Sequence, residues 1–184
     1  YNSAGNRTKK VKGEEETAYT YNGLNQLLRV KTTKGDTVKN DISYEYDVNG
    51  NQIKETDKET GDSVENTYDV ENRLSTVTVT KKSGTSGNET VSLTQENLYN
   101  GDGQRIQKKE AGEVTNYFYE DGMVSYTTGA DTGEKLIQNL SGLEDNVIYA
   151  EQKVTGTDGT ASDYQDFLYT KDIQGSTSSI LNKD

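Results

Sequence analysis

Short runs in which Val, Thr and Tyr alternate with charged or amide side chains recur along the chain. A period of two residues is typical of β-strands, because successive side chains point to opposite faces of a sheet. Three runs carry tyrosines two positions apart, which places each pair on one face: Tyr19 and Tyr21, Tyr44 and Tyr46, and Tyr117 and Tyr119. No segment repeats apolar residues at helical spacing. The pattern predicts an all-β chain with partly covered sheet faces.

A turn signal follows many of these strands and repeats along the chain. Each copy has a tyrosine, then Asp or Asn, and then Gly or Asn within a few positions. Asp and Asn side chains can bond main-chain amides two residues on, and Gly or Asn tolerates a positive φ angle. The copies begin at Tyr1, Tyr21, Tyr46, Tyr68, Tyr99 and, in a degraded form, Tyr119, at steps of 20 to 31 residues. We therefore predict repetitive antiparallel β-hairpins, each with a tight turn and a looser turn to the next.

The residues expected to build this repeat are structural. They are Tyr21, Asn22, Gly23, Tyr46, Asp47, Gly50, Asn51, Tyr68, Asp69, Arg73, Tyr99, Asn100, Gly103, Arg105, Tyr119, Gly122, Tyr169, Asp172 and Gly175. One hairpin buries little surface, so stability would come from edge-to-edge pairing and from tyrosines stacked along the sheet. Exposed edges would need further repeats to cover them, so we expect the chain to be part of a longer protein.

Composition narrows the classes of function. Hydrophobic residues make up 29% of the chain, proline is absent, and the formal net charge is −11. The negative net charge argues against nucleic acid or an anionic membrane surface as a partner. No segment is apolar enough to insert into a membrane. The chain has no His and no Cys, which excludes Ser–His, Cys–His and histidine-ligated metal arrangements. We expect no catalytic residue, no cofactor and no metal.

Several segments could have a binding or catalytic role, and each of them also has a purely structural interpretation. Residues 47–51 present oxygen ligands at alternate positions, as calcium loops do, but Lys58 stands where an EF-hand has its closing Glu. We interpret this segment as a capped turn, with a weak cation site as the alternative. The tyrosines could stack on sugars, although their place at hairpin ends favours a structural ladder. The three glutamates at 14–16 are interpreted as a solvated turn or strand end, and Ser176 as a turn residue.

The repeats resemble the YD repeats of the RHS (rearrangement hot spot) family, whose pattern is roughly Tyr-Asp-x-x-Gly-Asn/Arg-Leu/Ile followed by a strand. Residues 46–53 match it closely, and residues 68–74 match with Asn72 at the glycine position. Residues 103–122 look like the repeat before the family's C-terminal core region, and residues 167–176 look like the entry to that core. The resemblance divides the chain into degenerate YD repeats (1–126), an insertion-like β-hairpin segment (127–163) and the start of a core-like segment (164–184).

The resemblance implies an extended, curved YD-repeat sheet that coils into a hollow shell. In insecticidal toxin complexes and bacterial polymorphic toxins, such a shell encloses a C-terminal toxic domain; in teneurins a related shell belongs to an adhesion receptor. We therefore expect a non-catalytic segment of a secreted or surface bacterial protein, whose partners are the rest of the same shell and an enclosed C-terminal toxin. The alternative is a cell-wall-associated adhesive or carbohydrate-binding protein with surface glycans as partners.

Overall fold

Fifteen β-strands account for most of the computed structural model, which describes residues 1–83, 88–130, 133–142, 147–155, 162–171 and 176–182. They are β1 (Lys9–Lys12), β2 (Glu15–Tyr21), β3 (Leu27–Lys34), β4 (Thr37–Tyr46), β5 (Gln52–Asp57), β6 (Ser63–Tyr68), β7 (Leu74–Ser83), β8 (Asn88–Tyr99), β9 (Arg105–Glu110), β10 (Glu113–Glu120), β11 (Met123–Thr128), β12 (Lys135–Ser141), β13 (Val147–Thr155), β14 (Ser162–Lys171) and β15 (Thr177–Asn182). Within those described ranges no residue is helical, and no helix suited to crossing a membrane is present.

The first of two compact units covers Tyr1–Glu96. Its strands pair antiparallel, each with its neighbours in the chain, from β1 to β8. Val30 of β3 lies opposite Ile42 of β4, and the next pair in the register is Lys31 with Asp41. Because successive residues point to opposite faces, the apolar pair and the charged pair lie on different sides of the sheet. The alternation in the sequence thus gives the two faces different chemistry.

The second compact unit covers Asn97–Asp184. Its strands β9 to β15 also pair antiparallel between neighbours in the chain. The rings of Phe118 in β10 and Tyr126 in β11 are cross-strand partners and stack, with centroids 4.4 Å apart and 10° between their planes. Aromatic cross-strand pairs of this kind stabilise a sheet beyond the area that they bury.

Several hairpins bulge beside the tyrosine of the repeat. The returning strand carries one extra residue next to Tyr21, Tyr46, Tyr68 and Tyr119, where the pairing register shifts. A bulge of this kind bends the strand and increases its local twist. The repeat therefore specifies a bulge as well as a turn.

The core of each unit is thin. Among the described residues, Ala150 is the one apolar residue that is buried, at 2% exposure, and the other buried residues are Asp41, Asn97, Thr127 and Thr128. Many of the remaining strand residues are partly exposed, as in antiparallel sheets with a solvated face. The predicted all-β fold of antiparallel hairpins is confirmed. The segment limits expected after residues 126 and 163 stay predictions.

Candidate functional site

Among the residues that the structure describes, the tyrosine repeats build five turns of one geometry, which we call motif turns. Motif turns 1 to 5 comprise residues 2–6, 22–26, 47–51, 69–73 and 100–104. In each, the first residue donates its main-chain N–H to the C=O of the fifth, and the fourth donates to the C=O of the first, over 2.9–3.2 Å. The fourth residue has a φ of 61° to 90°. This left-handed region favours Gly and Asn, and those two residues alone fill the position.

The side chain of the first residue closes each motif turn. Its Oδ1 accepts the main-chain N–H groups of the third and fifth residues over 2.9–3.1 Å. The first residues are Asn2, Asn22, Asp47, Asp69 and Asn100. Hydrogen bonding lowers the pKa of both carboxyls, chiefly from the Asn51 side chain for Asp47 and from the Arg73 main chain for Asp69. The side chain thus satisfies main-chain donors that the strand ladder leaves out.

The first and fifth side chains of a motif turn also bond to each other. The pairs are Asn22–Gln26, Asp47–Asn51, Asp69–Arg73 and Asn100–Gln104, at 2.6, 2.9, 2.7 and 2.8 Å. Where the first residue is an amide, its Nδ2 donates to the Oε1 of a glutamine. Where it is a carboxylate, its Oδ2 accepts from an asparagine or an arginine. The two positions therefore match donor to acceptor within every one of these four turns.

Tyrosine hydroxyls join consecutive repeats, and we call this set of contacts the tyrosine ladder. Each donates to the main-chain carbonyl of the residue directly after the preceding motif turn. The pairs are Tyr21–Arg7, Tyr46–Leu27, Tyr68–Gln52 and Tyr119–Arg105, at 3.0–3.1 Å. Burial of the phenol raises the pKa of Tyr46. One residue of the repeat thus ends a strand and ties it to the hairpin before it.

Neighbouring motif turns also touch through asparagine side chains. Asn6 Nδ2 donates to Asn25 Oδ1 at 2.8 Å. Asn49 and Asn51 both donate from Nδ2 to Asn72 Oδ1, at 3.0 Å each. Asn25 and Asn72 are the fourth residues of motif turns 2 and 4, where the other turns have Gly. Asparagine at this position therefore keeps the left-handed backbone and adds a bond to the preceding turn.

The structure also places Tyr119, Gly23 and Tyr99 of the predicted set. Tyr119 joins the ladder, but a two-residue turn follows it, in which Asp121 and Gly122 have φ angles of 50° and 82°. Gly23 is the second residue of motif turn 2 and does not have a positive φ. Tyr99 ends β8 directly before motif turn 5.

The predicted residues nearer the C-terminus form different contacts. Arg105 lies with its guanidinium 4.9 Å from the centroid of the Tyr117 ring. Tyr169 of β14 faces Ile180 of β15. Asp172 and Gly175 lie outside the described residues, and the predicted entry to a core-like segment there remains a prediction.

An ion pair in the first unit was not foreseen from the sequence. Arg29 donates from Nε to Asp41 Oδ1 at 2.6 Å, and its Nη2 binds Asp41 Oδ2. Asp41 is 4% exposed, and hydrogen bonding to Arg29 lowers its pKa. The two residues are not directly opposite, since Arg29 faces Ser43 and Asp41 faces Lys31. Only the register of the strands reveals this diagonal contact.

A second unforeseen cluster lies in the second unit. The hydroxyl of Tyr149 is 2.7 Å from Asp166 Oδ1 and 3.2 Å from Glu151 Oε1. Hydrogen bonding to Asp166, together with desolvation and the charge of Glu151, raises the pKa of Tyr149. Tyr149 and Asp166 line a cleft of about 570 Å³ together with Leu168, Leu181 and Asn182. Aromatic, carboxylate and amide groups converge at this cleft.

The candidate cation loop at residues 47–51 is held by hydrogen bonds to Asp47. Asp47 Oδ1 accepts the N–H groups of Asn49 and Asn51, and Oδ2 accepts from the Asn51 side chain. Over the part of the chain that the structure describes, no group of three or more His, Cys, Asp or Glu side chains could hold a metal ion. The oxygens of Asp47 act within the turn, where they hold the main chain.

Comparisons with known proteins bear on the fold. No protein-family model and no curated protein sequence matches the chain. A chain of the Photorhabdus luminescens Tc holotoxin pore, in a form with mutated TccC3, matches 100% of this chain with a TM-score of 0.64 and 17% identity. The crystal structure of TcdB2-TccC3 matches 92% with a TM-score of 0.50 and 16% identity. This chain spans 11% and 12% of those two chains. The chain therefore has an antiparallel repeat fold that it shares with chains of Tc toxins, as the sequence resemblance led us to expect.

Proposed function

We propose that this chain is a non-catalytic wall segment of a secreted or surface bacterial RHS/YD-repeat protein, whose sheet encloses or presents a C-terminal toxin domain. The tyrosine ladder carries the proposal. Each ladder bond joins a hairpin to the one before it, so repeats can add in series without a second layer of structure. The partners of the segment are further repeats of the same wall and the enclosed domain.

The thin core supports a wall rather than a compact domain. A sheet with partly exposed side chains on its strands suits a partition between two aqueous compartments, because neither face needs a full apolar layer. The likeness to Tc toxin chains supports the same role, since the shared fold lies within far longer chains of toxin complexes.

The state of the carboxylates supports a structural role. Asp41, Asp47, Asp62 and Asp69 all have a pKa held below the ordinary value of 3.8 by hydrogen bonds within the protein. A general acid or base works best with a pKa near the working pH. These four groups are instead ionised at neutral pH and engaged in holding turns and strands.

Protection of the enclosed domain tests the proposal. In the full-length protein that contains this chain, the C-terminal domain is expected to resist protease while the wall is intact. The double variant Tyr46→Phe/Tyr68→Phe removes two ladder bonds and is expected to speed digestion of that domain. Val70→Ser, at a fully exposed turn position, is the matched control and should not change the rate. Equal digestion in the wild type and the ladder variant would refute an enclosing wall.

A second candidate function is carbohydrate binding in a cell-wall-associated adhesin, and the cleft beside Tyr149 favours it. Aromatic rings pack against the C–H faces of sugars, and carboxylate and amide groups bond their hydroxyls. The cleft offers Tyr149, Asp166 and Asn182 for these contacts. Glycan-array binding that is lost in Tyr149→Ala would support this function, and no binding to any glycan would exclude it.

A further inference from the structure

Three Asn-Gly dipeptides occur in the motif turns, at Asn22-Gly23, Asn49-Gly50 and Asn100-Gly101. Asn-Gly is the dipeptide most open to spontaneous deamidation, because glycine has no side chain to hinder attack of its main-chain nitrogen on the asparagine amide. The three copies have the same local chemistry. Any difference in their reactivity in the folded chain must therefore come from the structure around each one.

Two of the asparagines are held by their whole amide group. Asn22 is the first residue of motif turn 2, and its Oδ1 accepts the N–H groups of Leu24 and Gln26 at 2.9 and 3.0 Å. Its Nδ2 donates to Gln26 Oε1 at 2.6 Å. Asn100 has the same three bonds in motif turn 5. The side chain must break all three before its Cγ can turn toward the next main-chain nitrogen.

The side-chain amide of Asn49 makes fewer hydrogen bonds. Asn49 is the third residue of motif turn 3 and is exposed. Its Nδ2 donates to Asn72 Oδ1 at 3.0 Å, and that oxygen already has a second donor in Asn51. The nitrogen of Gly50 donates to the Asp47 carbonyl at 3.2 Å, the longest of the ten main-chain bonds in the motif turns. The Asn49 amide group therefore has one hydrogen bond to break, against three at each of the other sites, although the main-chain N–H of Asn49 is also held by Asp47 Oδ1 and the attacking Gly50 nitrogen by the Asp47 carbonyl.

We propose that Asn49-Gly50 is the deamidation site of this chain and that the fold protects the other two Asn-Gly pairs. The Gly50 nitrogen loses its proton and forms a bond to Asn49 Cγ, while the Cγ–Nδ2 bond breaks and Nδ2 leaves as ammonia with that proton. The product is a five-membered succinimide. Water then opens one of its two C–N bonds, which leaves aspartate or isoaspartate at position 49. The net change is one water consumed and one ammonia released.

The reaction changes the contact between motif turns 3 and 4. A carboxylate at position 49 has no donor for Asn72 Oδ1, so one of the two bonds to that oxygen is lost. Isoaspartate also adds a methylene to the main chain between Asp47 and Gly50. The bond from the Gly50 N–H to the Asp47 carbonyl then no longer fits the turn. Ageing therefore weakens the contact between motif turns 3 and 4.

Peptide mass spectrometry of the intact chain tests the proposal after incubation in mildly alkaline buffer, with and without urea. In the folded chain, Asn49 is expected to deamidate at least about tenfold faster than Asn22 or Asn100, given the extra hydrogen bonds at those sites. In urea the three rates should converge. Asn72→Gly removes the acceptor and keeps the left-handed backbone, so it should raise the rate at Asn49 alone.

Three results would overturn the proposal. The first is a rate at Asn22 or Asn100 that equals or exceeds the rate at Asn49 in the folded chain. The second is no reaction at Asn49 under conditions in which the urea-unfolded chain reacts. The third is the same ratio of the three rates in urea as in buffer, because it would assign the difference to sequence and not to the fold.

Discussion

The hydroxyl of Tyr46 donates to the main-chain carbonyl of Leu27 at 3.0 Å, so the end of β4 is tied to the start of β3. Tyr68 makes the corresponding bond to Gln52 at 3.1 Å, but that carbonyl also accepts from Asn66 Nδ2 at 3.0 Å. When the hydroxyl is removed, the Gln52 carbonyl therefore keeps a side-chain donor in Asn66, whereas the Leu27 carbonyl loses the donor from Tyr46.

Tyr46→Phe is expected to lower the free energy of unfolding by about 0.5–1.5 kcal/mol, the usual net value of one hydrogen bond. Tyr68→Phe should lower it less, because Gln52 keeps the Asn66 donor. Urea unfolding followed by circular dichroism measures both. Tyr1→Phe is the matched control at a largely exposed ring, whose hydroxyl accepts one long, solvent-exposed bond from Arg7 Nη2 at 3.4 Å. Equal losses in all three variants would contradict a ladder in which the hydroxyls stabilise the sheet.

Because the first and fifth side chains of a motif turn match donor to acceptor, we predict that a second substitution restores the stability lost by a mismatched first one. Asp69→Asn places an amide donor against the guanidinium of Arg73, and we expect the melting temperature to fall by about 2–4 °C. Adding Arg73→Gln recreates the Asn–Gln pair of motif turns 2 and 5, so the double variant should recover most of the loss. Calorimetry of the wild type, both single variants and the double variant gives the coupling. Strictly additive losses would show that the two positions do not depend on each other.

Acid is expected to destabilise the first unit only at low pH. Four of its aspartates have lowered pKa values and are ionised and hydrogen-bonded in the folded state: Asp41, Asp47, Asp62 and Asp69. A depressed folded pKa contributes stability that is complete above the unfolded pKa and is lost as pH falls through the folded one. Unfolding free energies should thus stay level down to about pH 5 and decline below about pH 4.

Urea midpoints measured across this range test the pH prediction. The control is a chain in which motif turns 3 and 4 both carry the uncharged Asn–Gln pair, made with Asp47→Asn, Asn51→Gln, Asp69→Asn and Arg73→Gln. Its decline in acid should be shallower, because two of the four carboxylates are gone. An identical acid profile would mean that the turn carboxylates do not contribute to the pH dependence.

Position 72 separates backbone conformation from side-chain bonding. Asn72→Ala places a residue that tolerates the left-handed region less well than Asn at a φ of 61° and removes the acceptor of Asn49 and Asn51, so we expect a loss of about 1–2 kcal/mol or more. Asn72→Gly removes only the acceptor and should cost less. Chemical unfolding ranks the two variants. A glycine variant that is less stable than the alanine variant would contradict the role given to the left-handed backbone.

Local chemistry made much of the fold predictable. The alternation of Val, Thr and Tyr is a property of single strands, and the all-β hairpins predicted from it are present. The repeat copy at Tyr68 could also be recognised from the sequence, because Asn72 stands where other copies have Gly and both residue types tolerate a positive φ. Such features depend on a few neighbouring residues, and a sequence displays those neighbours side by side.

Contacts between distant residues were not predictable in the same way. The sequence suggested that tyrosines stack on one face, but not that their hydroxyls reach main-chain carbonyls 14 to 19 residues earlier. The pair of Arg29 and Asp41 depends on a diagonal in the register, and a bulge changes the register. A one-residue shift moves every side chain to the other face, so these contacts follow only from the assembled sheet.

The acceptors of the tyrosine ladder are main-chain atoms, and the residues that supply them differ: Arg7, Leu27, Gln52 and Arg105. A tyrosine from one repeat therefore fits any repeat that precedes it, whatever side chain stands at the acceptor position. Gene duplication, deletion or recombination between repeats would preserve the join without compensating substitutions. The first and fifth residues of a motif turn are only four positions apart, so they are inherited together. The chain can thus change its number and order of repeats while the rules of assembly stay the same.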